Sequence, residues 1–402
     1  GMSSASEFVM VEDARTDSID VDRLIIHQFD PASPSPGGID TCIRGLCKYA
    51  PDAIRLAIVG VDAGKETLGR KLGVWEFYSI GQREVAFLPV ARLDPSEQGS
   101  RRIPHSARLV AGLVRYRAQL PSFKEIQLHR ADTAFVLSRL LQKNLIYFIH
   151  TQDDGITSKS SDSFWTKASA LHRSMELSTI KRAHQNVVFN EAYSRKVSEI
   201  NSHTLFSPTW FDPSIIERRR SDSDEYRIVW VGRLEKPKDP QLAIDVLQQL
   251  LTLEKDSHWT LSIVGSGSLE VELKARIRKI DSSISSRLEL CGRLTPKQVG
   301  AKLASSRYFL MTSLPGYEGY PRVLVEAMAT GLVPVVTDGS DTGNLIKDGK
   351  NGFCTDRNAS NIANAIKRAG DISEVEPITT VANLSAPNVI ARIFKAECDE
   401  NE

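Results

Sequence analysis

The 402-residue sequence has few cysteines, almost no net charge and no long apolar run. Its five cysteines are scattered and odd in number, which argues against a disulfide framework, and no Cys/His cluster has zinc-finger spacing. A net charge of +1 gives no global field that would attract nucleic acid. No apolar run approaches the roughly 18 residues of a membrane-spanning helix. The sequence therefore indicates a globular protein in a reducing, cytoplasmic setting.

The first 20 residues are polar and lack the apolar core of a signal peptide. Gly1 ahead of Met2 is typical of a residue left by tag cleavage. We therefore expect the segment 1–20 to be disordered or derived from a tag. The chain as a whole, with 41% hydrophobic and 25% charged residues, has the composition of a globular protein of one to three domains.

Short apolar runs alternate with helical patterns from Tyr226 onward. The runs "RIVWV" (227–231), "WTLSIVG" (259–265) and "VPVVTDG" (333–339) are strand-like, whereas "PQLAIDVLQQLL" (240–251) has apolar residues at helical spacing. Near-continuous apolar strands separated by helices predict a parallel sheet that is covered on both faces.

The N-terminal half shows the same alternation less clearly. Five runs are predicted as strands, at 23–29, 53–62, 125–130, 144–150 and 186–190. The sequence thus predicts an α/β fold of two doubly wound, Rossmann-like parallel-sheet lobes that face a cleft, with ligands at the carboxyl ends of the strands. The predicted bounds are 21–208 for an N-terminal lobe, 209–385 for a C-terminal lobe, and 386–402 for a C-terminal helix with the option of packing back on the first lobe.

The stretch "EGYPRVLVEAMATG" (318–331) combines a loop with the start of a helix. Pro321 suits the first helical turn, where free backbone N–H groups form an anion site. Glu318 precedes this site, and Glu326 lies about one turn into the helix. A carboxylate accepts hydrogen bonds from neighbouring hydroxyls, as acidic residues do for a ribose. A solvated loop glutamate and an ordinary helix-start glutamate are the alternatives for each residue alone.

Two other strand ends carry candidate groups. Arg233 and Lys238 follow the strand at 227–231, where cations can neutralise a diphosphate, although solvated loop charges are the alternative. Gly265 and Gly267 follow the next strand in "VGSGS", which is half of a dinucleotide-binding fingerprint and is equally typical of a tight turn.

Five motifs in the region 227–356 together resemble the nucleotide-sugar domain of the retaining GT-B glycosyltransferases, the glycosyltransferase family 4-like or "group 1" family. The motifs are "VGRLEKPKDPQLAIDVL", "LSIVGSGSLEVEL", "LELCGRLTPKQVGAKLASSRYFLMTS", "EGYPRVLVEAMATGLVPVVT" and "LIKDGKNGF". They follow the family's order, and Glu318 and Glu326 match its paired-glutamate signature. The resemblance implies retaining transfer of a sugar from a UDP-, GDP- or ADP-sugar to a glycan or lipid-linked acceptor, in surface polysaccharide or glycolipid biosynthesis, with no metal or further cofactor required.

The resemblance also implies roles for the matched residues. The N-terminal lobe would bind the acceptor and the C-terminal lobe the nucleotide sugar. Arg233 and Lys238 would neutralise the donor diphosphate, and both would be catalytic, as would Glu318. Glu318 would contact the transferred sugar, and Glu326 would bind the ribose hydroxyls. Other residues would line the donor, largely through their backbone: Gly265, Arg293, Leu294, Gly319, Tyr320, Pro321 and Arg322.

The N-terminal half resembles the family less closely. In "PASPSPGGIDTCIRGLCKY" (31–49), Gly37 and Gly38 match a loop that lets the backbone approach the donor phosphate. Asp40 stands there where Glu is more usual, and Cys42 stands where the family often has His.

A second N-terminal match is "YFIHTQDD" (147–154), which resembles the strand end that supplies an active-site histidine. His150 is therefore the candidate, with a structural histidine as the alternative. In the segment that joins the lobes, Thr209 and Trp210 replace the commoner Asn-Gly. These departures leave the identity of the acceptor open.

Several alternatives remain open at this stage. They are a degenerate GT-B module that binds sugar nucleotides without transfer, a GT-B sugar-nucleotide epimerase or phosphorylase, and an NAD-dependent oxidoreductase. The acidic loops at 153–155 and 338–341 are alternative magnesium sites. The basic segment 100–120 either contacts an anionic membrane at the inner face of the cell membrane or packs its apolar stripe on the sheet. The donor sugar, the base, the linkage and the oligomeric state stay open.

Overall fold

The structure is a computed structural model that describes residues 7–12, 18–35, 37–64, 69–93, 104–150, 163–220, 224–254 and 256–399. The chain divides into two compact units, each with its own sheet. The C-terminal unit contains Pro208–Val389. The N-terminal unit contains the described residues up to Ser207 and, in addition, the chain from Ile390 onward.

The sheet of the N-terminal unit has the order β1-β4-β5-β3-β2-β6-β7-β8-β9 in the part of the chain that the structure describes. Its strands are β1 (Val9–Val11), β2 (Arg23–Ile26), β3 (Leu56–Asp62), β4 (Glu76–Ile80), β5 (Arg83–Arg92), β6 (Glu125–Leu128), β7 (Asn144–Ile149), β8 (Gln185–Val188) and β9 (Thr204–Phe206). Its helices are α1 (Gly38–Tyr49), α2 (His105–Arg115), α3 (Ala131–Leu141), α4 (Ser163–Arg182) and α5 (Glu191–Ile200).

This sheet is not wholly parallel, which corrects one expectation. The strands from β5 to β9 along the sheet pair in parallel, but β4 pairs antiparallel with both β1 and β5. The hairpin between β4 and β5 turns at Gly81, whose φ of +58° favours glycine. Because β4 lies near the sheet edge and buries only alternate residues toward its end, it lacks the continuous apolar run by which the central strands are recognised.

The sheet of the C-terminal unit is entirely parallel, with the order β12-β11-β10-β13-β14-β15. Its strands are β10 (Arg227–Val231), β11 (Thr260–Val264), β12 (Leu288–Gly292), β13 (Tyr308–Met311), β14 (Val333–Thr337) and β15 (Phe353–Thr355). The helices are α6 (Pro240–Leu253), α7 (Glu270–Lys279), α8 (Ser282–Ser285), α9 (Pro296–Ala304), α10 (Arg322–Thr330), α11 (Ala359–Ala369) and α12 (Val375–Thr380). A further helix, α13 (Ala386–Asp399), begins in this unit, and its residues from Ile390 onward belong to the N-terminal unit.

Both faces of the C-terminal sheet are buried, which is why its strands are apolar throughout. One face packs Trp230 and Leu247 with helix α11, and the other packs Phe309 with Met328 of α10. The strand order reverses between β10 and β13, so this is the switch point at which an open α/β sheet binds ligands.

A buried arginine ties the end of α13 to the N-terminal sheet. Arg23, in β2, is 1% exposed and donates from Nε to Glu125 over 2.9 Å. It also forms an ion pair with Glu397 of α13, and its guanidinium lies over the ring of Phe394. A buried cation is tolerated only when it is paired and hydrogen-bonded, so this cluster requires the helix in place.

Helix α2 covers the middle of the basic segment 100–120, of which residues 100–103 lie outside the described residues. Leu109 and Leu113 are buried, and a Cβ on Gly112 would lie 2.2 Å from a carbonyl oxygen of β5. The apolar face of α2 therefore packs on the sheet. Within the described ranges, no helix combines the length and apolar character needed to cross a bilayer.

Gly265→Ala is expected to destabilise the C-terminal unit severely. At Gly265 φ is +142°, and an added Cβ would lie 1.7 Å from the carbonyl oxygen of Gly232. Gly292→Ala is the matched control, because its φ is +68° but no atom lies within 4 Å of the new Cβ. We expect a loss of about 1–2 kcal/mol for the control and more than about 3 kcal/mol for Gly265→Ala, measured by urea unfolding. Equal losses would contradict the close approach of the two loops.

Candidate functional site

Lys238 and Glu318 meet at the switch point of the C-terminal sheet. Lys238 lies in the loop after β10, and Glu318 lies in the loop after the neighbouring strand β13. Lys238 Nζ is 2.5 Å from Glu318 Oε1, and Ser313 Oγ donates to the same oxygen over 2.7 Å. Glu318 is 9% exposed. Sequence reasoning named the two residues for separate roles, and the structure brings them into direct contact.

The two loops are held together by Thr312, at the end of β13. Its Oγ1 accepts from the indole of Trp230 over 2.9 Å and contacts the carbonyl oxygen of Lys238 at 2.9 Å. Arg357 donates to the carbonyl oxygen of Thr312 over 2.7 Å and also pairs with Asp239. These long-range bonds set the position of Lys238 opposite Glu318.

The glycines after β11 serve a close crossing of two strand-end loops. Gly232 donates its N–H to the carbonyl oxygen of Val264 over 3.0 Å, next to Gly265. A Cβ on Gly267 would lie 2.5 Å from the carbonyl oxygen of Leu234. Backbone packing thus accounts for both glycines of "VGSGS" without a dinucleotide. A donor-binding role for Gly265 stays a prediction.

Glu326 is half-buried, and no described residue donates a hydrogen bond to its carboxyl group. It lies one turn into α10, a helix that begins at Arg322 with no side-chain cap. Burial raises the pKa of Glu326 to about 7, while the cation of Arg322 lowers it and the carboxylate of Asp212 raises it. A carboxylate that has no donor and lies beside a helix start is suited to accept hydroxyl hydrogen bonds.

Trp210 packs against the beginning of α10. It is 2% exposed, and the guanidinium of Arg322 lies over its ring at 4.5 Å from the centroid. Arg322 Nη1 also approaches the carbonyl oxygen of Trp210 at 3.4 Å. The departure from Asn-Gly at 209–210 therefore supplies a stacking partner for an arginine 112 residues further along the chain. No signal in the sequence joins the two residues.

The remaining C-terminal candidates lie around the same strand ends. Arg233 and Arg293 are exposed, and Leu294 packs against the core beside α10. The carbonyl oxygen of Gly319 accepts from Thr342 over 2.5 Å, and the ring of Tyr320 fills the space beside Gly343. Pro321 is buried ahead of α10.

Of the two acidic loops, the structure describes the one at 338–341. The carboxylate of Asp341 accepts from the backbone N–H groups of Leu345 and Ile346, over 3.0 and 2.8 Å. Both of its oxygens are therefore engaged in holding the loop after β14. The other acidic loop, 153–155, lies outside the described residues.

Gly37 and Gly38 stand at the start of α1 in the N-terminal unit. Gly37 has a φ of +135°, and a Cβ on either glycine would meet no atom within 4 Å. The backbone is therefore exposed on this side. Asp40 forms an ion pair with Arg44 over 2.6 Å, one turn along the helix, so its carboxylate orients α1 locally.

His150 follows β7 and contacts a second histidine that sequence reasoning missed. Its Nε2 is 2.8 Å from Nδ1 of His129, which follows the neighbouring strand β6. The ring of His150 lies 5.0 Å from that of Phe189. The available signal was the pair of strands "EIQLHR" and "NLIYFIH", which both end in histidine. Parallel strands place their carboxyl ends at one edge, so such histidines meet if the strands are neighbours.

Cys42 completes a group of three potential metal ligands. The ligand atoms of Cys42, His129 and His150 all lie within 4.8 Å of one another. Burial, followed by the charges of His150, His27 and Arg23, lowers the pKa of His129 well below its usual range. His129 is therefore neutral at ordinary pH, which decides how its hydrogen bonds run.

Comparisons with known proteins agree with this arrangement. Residues 225–371 match the family described as Glycosyl transferases group 1. The amylovoran biosynthesis glycosyltransferase AmsK of Erwinia amylovora is 30% identical over 131 residues, which is 32% of this chain and 31% of that relative. The chain thus spans about a third of the length of this curated relative.

Two solved structures resemble nearly the whole chain. The sucrose-phosphate synthase tll1590 from Thermosynechococcus elongatus has a TM-score of 0.72 at 15% identity, covering 95% of this chain and 99% of its own. Anabaena Alr3699/HepE, in complex with UDP and glucose, has a TM-score of 0.67 at 17% identity, covering 94% and 100%. The chain therefore has the GT-B fold. Its residues 225–371 belong to the group 1 glycosyl transferase family.

Glu326→Gln is expected to change how stability depends on pH. The carboxyl group has an ordinary pKa of 4.5 when unfolded and about 7 when folded, so its contribution to stability is lost as pH rises through about 7. Glutamine has no such loss. The difference in the free energy of unfolding between the variant and the unsubstituted protein should shift in favour of the variant by about 1–3 kcal/mol as pH rises from about 5 to about 8. Urea unfolding at the two pH values measures this shift. Glu272→Gln, at an exposed position of α7, should gain nothing. If the free energy of unfolding rose equally in both variants, the ionisation of Glu326 would have no cost of its own, and the raised pKa would be contradicted.

Proposed function

We propose that this protein is a retaining glycosyltransferase, which moves a sugar from a nucleotide-diphosphate sugar to the hydroxyl of a glycan or lipid-linked acceptor in polysaccharide or glycolipid biosynthesis. The observation that carries the proposal is the contact of Lys238 with Glu318 at the switch point of the C-terminal sheet, on the loop that leads into the helix carrying Glu326. Each of these three residues suits one part of such a donor. The cation of Lys238 suits the diphosphate, the carboxylate of Glu318 suits the sugar, and the carboxylate of Glu326 beside the helix start suits the ribose.

The donor is expected to bind with its diphosphate at the start of α10. Backbone N–H groups at a helix start and the cations of Lys238 and Arg233 favour an anion there. Glu326, one turn into the helix, would then accept from the ribose hydroxyls. UDP and glucose in the Anabaena neighbour support a sugar nucleotide as the ligand class.

The chemistry follows from what Glu318 and Lys238 can do. One oxygen of Glu318 already accepts from Lys238 and Ser313, which leaves the other for a hydroxyl of the transferred sugar. Glu318 therefore holds the sugar and is not poised for attack. As the bond to the diphosphate breaks, Lys238 and the helix start stabilise the developing negative charge. The departing phosphate accepts the proton of the acceptor hydroxyl on the same face, so the configuration is retained.

A nucleotide should stabilise the folded protein through the C-terminal unit. We expect a rise in melting temperature with one of UDP, GDP and ADP or their sugars, and none with NAD. At about 100 times the dissociation constant, the gain is about 2.7 kcal/mol. Glu326→Ala should lose the shift, because the ribose contact is removed, whereas Glu272→Ala should keep it. A folded sample that shifts with no nucleotide would contradict the proposal and favour a module without donor binding.

Lys238→Ala should slow transfer, because the leaving diphosphate loses its cation. We expect a fall of about 10²–10³-fold in the rate, with product identified by mass spectrometry as glycoside, epimer or neither. The control is Lys236→Ala, an exposed cation in the same loop, which should leave the rate unchanged. Melting temperatures of both variants show whether folding is kept. Full activity in folded Lys238→Ala would contradict the electrostatic role, and an epimer as product would overturn the assigned reaction.

A further inference from the structure

A line of hydrogen bonds runs through the N-terminal unit and reaches His150. Arg23 Nη1 donates to Oε1 of Gln127 over 3.0 Å. Gln127 Nε2 lies 2.9 Å from Nε2 of His129, and His129 Nδ1 lies 2.8 Å from Nε2 of His150. The members come from β2, from β6 and its end, and from the end of β7.

The direction of this line is decided by Arg23. A guanidinium can only donate, so the side-chain oxygen of Gln127 must face it and the amide NH₂ must face His129. His129 therefore accepts at Nε2. Because Nε2 of His129 accepts this hydrogen bond, it carries no proton; the ring proton is therefore on Nδ1, which donates to Nε2 of His150.

We propose that Arg23, Gln127 and His129 are positioning residues that hold His150 in the tautomer with its proton on Nδ1, which leaves His150 without a nitrogen that can act as a general base. A neutral imidazole whose Nε2 already accepts a hydrogen bond, and whose Nδ1 carries the proton, has no nitrogen left to act as a general base.

Burial and packing keep the line in one arrangement. Arg23 and Gln127 are each 1% exposed and His129 is 5% exposed, so water does not compete for their hydrogen bonds. His129 stacks on Phe148 at 4.9 Å between ring centroids. The charge of Arg23 is balanced by Glu125 and Glu397. These ion pairs fix the position of Arg23, which sets the direction of the hydrogen bonds.

The direction of these hydrogen bonds is incompatible with a metal ion bound by Cys42, His129 and His150. A metal bound at His129 Nδ1 requires that nitrogen to be unprotonated, and the neutral ring would then carry its proton on Nε2. That proton would face the NH₂ group of Gln127, which cannot turn without presenting its donors to Arg23. The line of hydrogen bonds and a metal site are therefore mutually exclusive.

The tautomer can be read directly by ¹⁵N NMR of the full chain labelled at its eight histidines. His150→Asn assigns the signals of His150 by their disappearance. We expect a protonated, pyrrole-type Nδ1 and an unprotonated, pyridine-type Nε2 at His150. In Gln127→Met the direction is no longer set, so the signals of His150 should move toward a mixture of tautomers.

Gln185→Met is the matched control, because Gln185 is 2% exposed in β8 and bonds only locally to the carbonyl oxygen of Asn186. It should leave the tautomer of His150 unchanged. If Gln127→Met does not fold, the unsubstituted protein still decides the question. A proton on Nε2 of His150, or an unchanged tautomer in folded Gln127→Met, would overturn the proposal. So would a cobalt thiolate absorption band on addition of Co²⁺ that is lost in Cys42→Ser.

Discussion

The constraint on which this structure depends is the parallel pairing of its strands. A parallel pair needs a crossover connection, so the carboxyl ends of all the strands in such a sheet meet at one edge. Residues distant in the chain are therefore collected there without any local signal. Lys238 and Glu318 are 80 residues apart and share an ion pair because β10 and β13 are neighbours. His129 and His150 meet for the same reason after β6 and β7.

The charged groups fall into two kinds, according to whether the protein supplies their partners. Arg70 is buried with Asp30 at 2.6 Å and with Glu76 at 2.9 Å, so its charge is satisfied within the framework. Arg23 is satisfied in the same way. Glu326 is half-buried and has no donor among the described residues, which costs free energy unless a ligand supplies one. This contrast separates structural charges from the candidate site.

Much of the C-terminal unit could be predicted, because its strands are continuous apolar runs and its helices have clear start and stop residues. The hairpin of β4 and β5 could not, since β4, a short strand next to the sheet edge with mixed burial, has no such signature. His129 was missed because a single histidine at a strand end carries no information until the neighbouring strand is known. Gly265 and Gly267 were recognised as special, but only the crossing of two loops explains why.

The sequence by itself determined which residue types stand at each strand end and helix start, because hydrophobic periodicity and turn residues report local structure. The tertiary structure alone decided which of these residues touch. The stacking of Arg322 on Trp210 and the pairing of Arg23 with Glu397 join positions 112 and 374 residues apart. The direction of the hydrogen bonds to His150 was decided in the same way, since it depends on one buried cation at the far end of the line.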